Sequence, residues 1–360
     1  VCSPLRRHLS LLFFCSITWR GGGALAATAL VPVAAEAGPV LDQIKKDGKL
    51  ICIVNPKSPG FSVPDAQGVF QGFNVDFCRM TAAAIFGDAS KVDIRGVGFS
   101  DSLKTLVAGG GHMASRSITV TGTRDADPGL AFVTTTFFDG QGFMVAKSMG
   151  LKSAKQLEGA TVCAEEGSTT LLNLADWFGE NKLKYKIENF TDMTARLQAF
   201  FSGKCDVMSN DFTALAANRQ LAEKPDAYEL LPEIISSEPL SIVTRPDTEL
   251  QKTVFWGFQV MLTAEQYGVN QKNLGDVLAK LASQPPAVQR LFGDKGAAAD
   301  MAVKLGIHPN WAQEIIRQVG NYDDVFERHL GVKTPLGIDR TKTPNRLAKD
   351  GGLLITYPIR

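Results

Sequence analysis

The chain has 360 residues, 44% hydrophobic and 21% charged, which is the balance of an ordinary globular protein long enough for two cored domains. Its formal net charge of +1 gives no electrostatic reason to expect nucleic acid or an acidic membrane surface as partner. Small neutral solutes are the easiest ligands to reconcile with it.

The first 37 residues differ from the rest. Arg6, Arg7 and Arg20 flank two apolar runs, residues 9–19 and 24–33, and the second leads into Ala34-Ala-Glu-Ala37. Small residues at Ala35 and Ala37 fit a signal-peptidase site, so residues 1–37 read as a signal peptide and the protein as exported. Neither run reaches the ~20 residues that a bilayer core needs.

Beyond Gly38, strand and helix signals alternate. Residues 49–54 form an apolar, β-branched run that predicts a buried strand. Residues 72–86 carry apolar side chains at helical spacing and stop at Gly87. A second helix over 103–107 ends at Gly109-Gly-Gly111. Strands follow over 142–146 and 160–163, then helices over 169–178 and 191–201, and a short strand over 206–208. Residues 238–246 read as extended and proline-bounded, and 250–265 as an amphipathic helix. From Asn273 onward helical patterns dominate. This alternation predicts α/β sheets with parallel pairing, in which ligands gather at strand carboxyl ends and helix amino termini.

Two stretches carry recognisable chemistry. Ser117-Ile-Thr-Val-Thr-Gly-Thr-Arg124 reads as a loop that presents the Thr119 hydroxyl and the Arg124 guanidinium, a pair suited to a carboxylate. Gly167-Ser-Thr-Thr170 stands just ahead of a predicted helix, where free N–H groups favour an anion. Asp211, past a short strand, suits an ammonium, which offers only donors. Together they predict a two-lobed cleft that binds a free α-amino acid rather than a site that breaks a bond.

Four cysteines follow the leader: Cys52, Cys78, Cys163 and Cys205. An even number in an exported chain favours disulfides, with buried free thiols as the alternative. Of three possible pairings, Cys52–Cys78 and Cys163–Cys205 keep each bridge within one lobe. Each would contribute roughly 3–4 kcal/mol in the chain-entropy model.

Several segments together resemble the periplasmic substrate-binding proteins of polar amino-acid ABC importers (solute-binding protein family 3), especially the general L-amino-acid branch. They include Gly72-Phe-Asn-Val-Asp-Phe-Cys-Arg79, Thr121-Gly-Thr-Arg-Asp125, Phe138-Asp-Gly-Gln-Gly-Phe-Met-Val145 and Val319-Gly-Asn-Tyr-Asp-Asp-Val-Phe-Glu-Arg328. The resemblance runs from about Gly38 to the end. It implies a type II periplasmic-binding-protein fold, with two α/β lobes joined by a two-strand hinge near Gly142 and Glu238. The first lobe would comprise 38–142 and 238–266, the second 143–237, and a helical region 267–360 would pack on the first. Thr119 and Arg124, with Ser117, would hold the ligand carboxylate side. Gly167, Ser168 and Thr169 would contribute from the other lobe, Asp211 would bind the ammonium, and Phe61 would lie against the ligand side chain. The implied partners are a free L-amino acid and the membrane permease subunits of an importer, with the protein itself a monomer, periplasmic, and without a cofactor or metal.

The chain departs from the family at His112, Ser102, Ser117, Val120 and Glu165-Glu166, all near the cleft. These departures bear on which side chain is preferred. Glu165 and Glu166 are expected to face solvent or the ligand side chain, an arrangement suited to cationic amino acids. The main rival is an exported arogenate dehydratase-like enzyme on the same scaffold, with Glu165 or Glu166 as general acid. His112, His308 and His329 have no mutual spacing that suggests metal ligands, and two of the three are expected to be solvated. Asp211 has a plainer reading as a helix cap, as does Gly167-Ser-Thr-Thr170, and Phe61 as a core residue.

Overall fold

The apolar run Leu50–Val54 (β1) forms an inner strand of a first five-stranded sheet in the computed structural model, which describes residues 38–360. The predicted signal peptide lies outside the described residues. In chain order come helix Pro39–Asp47 (α1), β1, the hairpin strands Val63–Pro64 (β2) and Phe70–Gln71 (β3), helix Phe73–Phe86 (α2), Val92–Gly96 (β4), helix Phe99–Val107 (α3), Met113–Thr119 (β5), the short helix Gly122–Asp125 (α4) and Ala131–Asp139 (β6). The chain then crosses through Gly140 into Gln141–Ala146 (β7), Thr161–Glu165 (β8), helix Thr170–Glu180 (α5), Lys186–Phe190 (β9), helix Met193–Phe201 (α6), Val207–Asp211 (β10), helix Phe212–Arg219 (α7) and Tyr228–Leu230 (β11). It returns through Glu238–Thr244 (β12) to the long helix Thr248–Gln266 (α8).

The first sheet has the order β4-β1-β5-β12-β6 and the second β11-β7-β10-β8-β9. The α/β, two-lobed architecture read from the sequence is present. The pairing is mixed, however, rather than parallel throughout. β1 pairs parallel with β4 and β5, and β8 with β9 and β10, whereas β12 runs antiparallel to both β5 and β6, and β7 antiparallel to β10 and β11. The cause is the crossing itself: a chain that leaves a sheet at one end and returns there meets its neighbours head to tail.

Helix α2 is buried along nearly its whole length, which explains why its apolar residues almost encircle it. Gly72 immediately before it has φ +136°, and a Cβ there would lie 2.3 Å from the Phe61 carbonyl oxygen. Only glycine permits that approach, which sets Phe61 against the start of the helix. Gly87 closes the helix in a left-handed cap, as the sequence suggested. Both disulfides link the pairs expected within lobes. Cys52 of β1 joins Cys78 of α2 across 26 residues, and Cys163 of β8 joins Cys205 ahead of β10 across 42.

The C-terminal helices Leu274–Ala279, Pro286–Phe292, Ala297–Leu305, Trp311–Gln318 and Tyr322–His329 (α9–α13) share one hydrophobic core with the first sheet. Tyr322 anchors them: its ring meets Phe73 edge-on at 5.7 Å, and its hydroxyl donates to the Thr136 carbonyl of β6 at 2.9 Å. Among the described residues no helix is long and apolar enough to cross a membrane.

Candidate functional site

The first wall is the end of β5. The sequence read residues 117–119 as loop, but Ser117 and Thr119 lie in this strand and Arg124 in the short helix beyond it. Ser117 has φ +61°, a conformation a non-glycine residue keeps only where its surroundings hold it. Asn74 of α2 supplies part of that hold, donating to the Ser117 hydroxyl at 3.2 Å. Thr119 is buried and donates its hydroxyl to Glu238 at 2.5 Å. Arg124 folds back so that Nη1 donates to the Thr119 carbonyl at 3.0 Å and Nη2 to the Gly167 carbonyl of the other lobe at 3.4 Å.

The second wall is built from the ends of β8 and β10. Gly167, at φ +76°, turns the chain between Glu165 and α5. Ser168 donates its hydroxyl to the Glu165 carbonyl at 2.6 Å, and Thr169 donates to Glu238 at 3.2 Å. Thr169 stands at the N-cap of α5 but its side chain makes no cap bond. Asp211 ends β10 rather than following it, and although it occupies the N-cap of α7 its carboxylate caps nothing. The plainer capping readings therefore do not account for either residue.

Between the walls lies a cavity of about 50 Å³. Phe61, Ser117 and Thr119 line it from one side, and Ser168, Thr169 and Asp211 from the other. Two predicted residues stand outside that lining. Arg124 sits beside it, its guanidinium 5.5 Å from the Phe99 ring, and Gly167 contributes the carbonyl that Arg124 meets. Phe61 has both roles weighed in the sequence: it lines the cleft, yet it is 2% exposed and packs edge-on against Phe73 and Phe137 at 5.8 Å.

Two residues at the site were not anticipated. Glu238, the first residue of β12, is buried and accepts from Thr119, Thr169, Ser236 (2.6 Å) and Asn173 (2.7 Å), so it ties both walls to the hinge. Its only sequence signal was its place at the head of the extended segment. Arg116 lines the cavity at 3% exposure, with its guanidinium 5.1 Å from the same Phe99 ring. The sequence carried no signal for it, because the polar run around Arg116 reads as loop.

Acidic groups crowd the hinge side. Burial raises the Asp211 carboxyl well above its ordinary range, and the carboxylates of Asp139, Glu238 and Glu165 push it further, with Arg196 opposing. Asp139, which accepts from the backbone and hydroxyl of Thr213, is raised to about 6, again mainly by burial. Burial lowers Arg124, while Glu238 and Asp211 counter it. Burial also brings Arg116 down to about 10, with Glu165 opposing and Arg124 adding to the effect.

Of the pair Glu165-Glu166, Glu166 is exposed, whereas Glu165 lines the cleft and pairs with Arg196 of α6 at 3.3 Å. The expectation that two of the three histidines are solvated fails. His112 is buried, its Nδ1 accepting from Ile51 N–H at 3.0 Å. His329 meets Asp76 at 2.8 Å, and His308 is half-buried, its Nδ1 accepting from Asn310 N–H at 3.2 Å. In each case a hydrogen-bond partner compensates for lost water. Among the described residues no group of three or more His, Cys, Asp or Glu side chains is placed to hold a metal ion.

Residues 50–273 match the model of the bacterial extracellular solute-binding proteins, family 3. The chain is 40% identical, over 94% of its length and 98% of the relative's, to the glutamate/glutamine/aspartate/asparagine-binding protein BztA of Rhodobacter capsulatus. It is 37% identical, over 93% of its length and 97% of the relative's, to the general L-amino acid-binding periplasmic protein AapJ of Rhizobium johnstonii. A solved structure of an ABC transporter/periplasmic binding protein from Brucella ovis with glutathione bound superposes with a TM-score of 0.84 at 36% identity, covering 89% of this chain and 99% of that one. The chain belongs to the bacterial extracellular solute-binding proteins of family 3.

Proposed function

We propose that this protein is the periplasmic substrate-binding component of an amino-acid ABC importer, holding one free L-amino acid between its lobes and handing it to the membrane permease subunits. The observation that carries this reading is the pairing of the two walls. Across one small cavity the hydroxyls of Ser117 and Thr119 stand opposite the Asp211 carboxylate, with the Arg124 guanidinium beside the cavity on the Thr119 carbonyl. The names of the relatives, which speak of amino-acid binding, point the same way.

The ligand carboxylate would lie against Arg124, Ser117 and Thr119, with Ser168, Thr169 and the N–H groups at the start of α5 completing its shell. The ammonium would meet Asp211, restoring the charge that burial among other carboxylates disfavours. Only a closed cleft lets one ligand touch both walls, so binding shifts the lobes toward closure about the β6–β7 and β11–β12 crossings. A single chain supplies both walls, so the site needs no second copy. No bond need break, and of the two general acids a dehydratase reading offered, Glu165 pairs with Arg196 and Glu166 is exposed.

A thermal-shift screen against the twenty amino acids tests this. A ligand at a hundred times its dissociation constant adds about 2.7 kcal/mol to the native state. In a protein of this size that raises the melting temperature by about 4 °C. No shift with any amino acid, or turnover of arogenate, would remove the reading.

A further inference from the structure

The first lobe reaches the hinge through an edge strand, and the C-terminal region grips that edge. β6 is the last strand of its sheet, so among the described residues one row of its backbone groups has no strand partner. Asn345 meets that row as a neighbouring strand would. Its side-chain amide accepts from the Phe138 N–H at 2.6 Å and donates to the Phe138 carbonyl at 2.9 Å. Two residues earlier, the Thr136 carbonyl accepts from the Tyr322 hydroxyl. Asn345 is 1% exposed, and its own carbonyl accepts from Arg340 Nε at 2.8 Å. Arg340 in turn pairs with Glu265 of α8 at 2.9 Å and Asp323 of α13 at 2.6 Å, and lies 4.7 Å from the Tyr322 ring. Tyr322, Asp323, Arg340 and Asn345 all lie beyond residue 273, where the family match ends.

The residue held in this way is one step from the crossing. Asp139 follows Phe138, accepts from Thr213 of the second lobe, and stands opposite Glu238 in the β6–β12 register. Glu238 is the group that Thr119 and Thr169 both reach. Where Phe138 sits therefore fixes where the hinge carboxylates sit relative to both walls. An edge strand whose backbone groups lack partners opens locally, and a ligand that needs one arrangement of it must order the strand on binding. We propose that Asn345 is a positioning residue for ligand binding. With the C-terminal region behind it, it holds the hinge end of β6 in the geometry of the closed cleft before any ligand arrives. This rests on the amino-acid reading above. It gives residues 274–360 a part in affinity, separate from the wall residues that set the ligand's orientation.

Asn345→Ala tests it, because Asn345 is no part of the cleft lining. Every amino acid that the wild type binds, among L-glutamate, L-glutamine, L-arginine and L-alanine, should weaken by one common factor of about five or more. Association rates should stay within about threefold, since the loss falls on dissociation. Hydrogen exchange of the ligand-free variant should quicken about tenfold over residues 137–142 and stay unchanged in the buried helix α2. Trp311→Phe is the control: it removes a buried hydrogen bond to the Ala298 carbonyl in the C-terminal core, and should lower the melting temperature while leaving affinities within about twofold. Should Asn345→Ala fail to fold, Tyr322→Phe serves instead, removing only the hydroxyl that reaches Thr136, with a smaller effect in the same direction. Affinities within twofold of wild type, weakening confined to one amino acid, unchanged exchange at the hinge, or an equal loss in Trp311→Phe overturns the positioning role while leaving amino-acid binding intact. A wild type silent toward all twenty amino acids of the screen overturns both.

Discussion

Replacing Arg124 by alanine separates a binding residue from a surface ion pair. The guanidinium is half-buried and gives one bond to Thr119 within its own lobe and a longer one to Gly167 across the cleft. Each such bond contributes about 1 kcal/mol net, and the exposed one at 3.4 Å less. Removing the charge also relieves its repulsion of Arg116. The native state should therefore lose about 1–2 kcal/mol, or roughly 1.5–3 °C in melting temperature. Binding loses much more, because a ligand carboxylate left in the cleft without its partner costs roughly 2–5 kcal/mol. That is about 30-fold to several thousandfold in affinity. Isothermal titration with the tightest amino acid of the screen, alongside a melting curve, measures both quantities. An affinity within threefold of wild type would refute the reasoning and return Arg124 to the role of an interlobe tie.

Asp211→Asn should weaken all amino acids alike, since they share the ammonium, and a loss confined to one side-chain class would contradict its assignment. Because Asp211 is raised in the empty cleft and an ammonium favours its ionised form, binding should release a proton. Titrations at mildly acidic pH in two buffers of different ionisation enthalpy should then differ in heat, and equal heats would count against it. Asp139, raised to about 6, gives the ligand-free native state a stabilisation that is complete below pH about 4 and is lost as pH rises through about 6. Asp139→Asn should reduce that slope in urea midpoints measured across the window, leaving the part due to Asp211, and an unchanged slope would count against the assignment. Non-reducing peptide maps should show Cys52–Cys78 and Cys163–Cys205, and a bridge across the lobes would contradict the hinge.

The elements legible in the sequence were those whose burial is one-sided or complete. β1 and α2 announce themselves by apolar runs, and α8 by its periodic face. What escaped is instructive. β5 carries Ser115, Arg116, Ser117 and Thr119, so its polar residues read as loop; they are polar because that strand end faces the cleft. β4, β9 and β11 are short or partly exposed strands whose alternation is weak. β6 spreads its partly buried residues over nine positions against β12 and so lacks a clean period. The anion loop and Asp211 were legible because glycine, hydroxyls and a carboxylate have few other uses at strand ends. Arg116, Arg196 and Glu238 were not. Their roles come from neighbours that the fold brings to them from other elements, as with Glu238 and Thr119.

The central claim is that one free amino acid sits between the two lobes in a fixed orientation. A crystal structure of the protein grown with L-glutamate tests it most directly. One molecule should lie in the cleft, its α-carboxylate within hydrogen-bond distance of Arg124 and Thr119 and its ammonium on Asp211. A molecule bound in the reverse sense, with its ammonium at the Gly167–Thr170 turn, or bound outside the cleft, would contradict it.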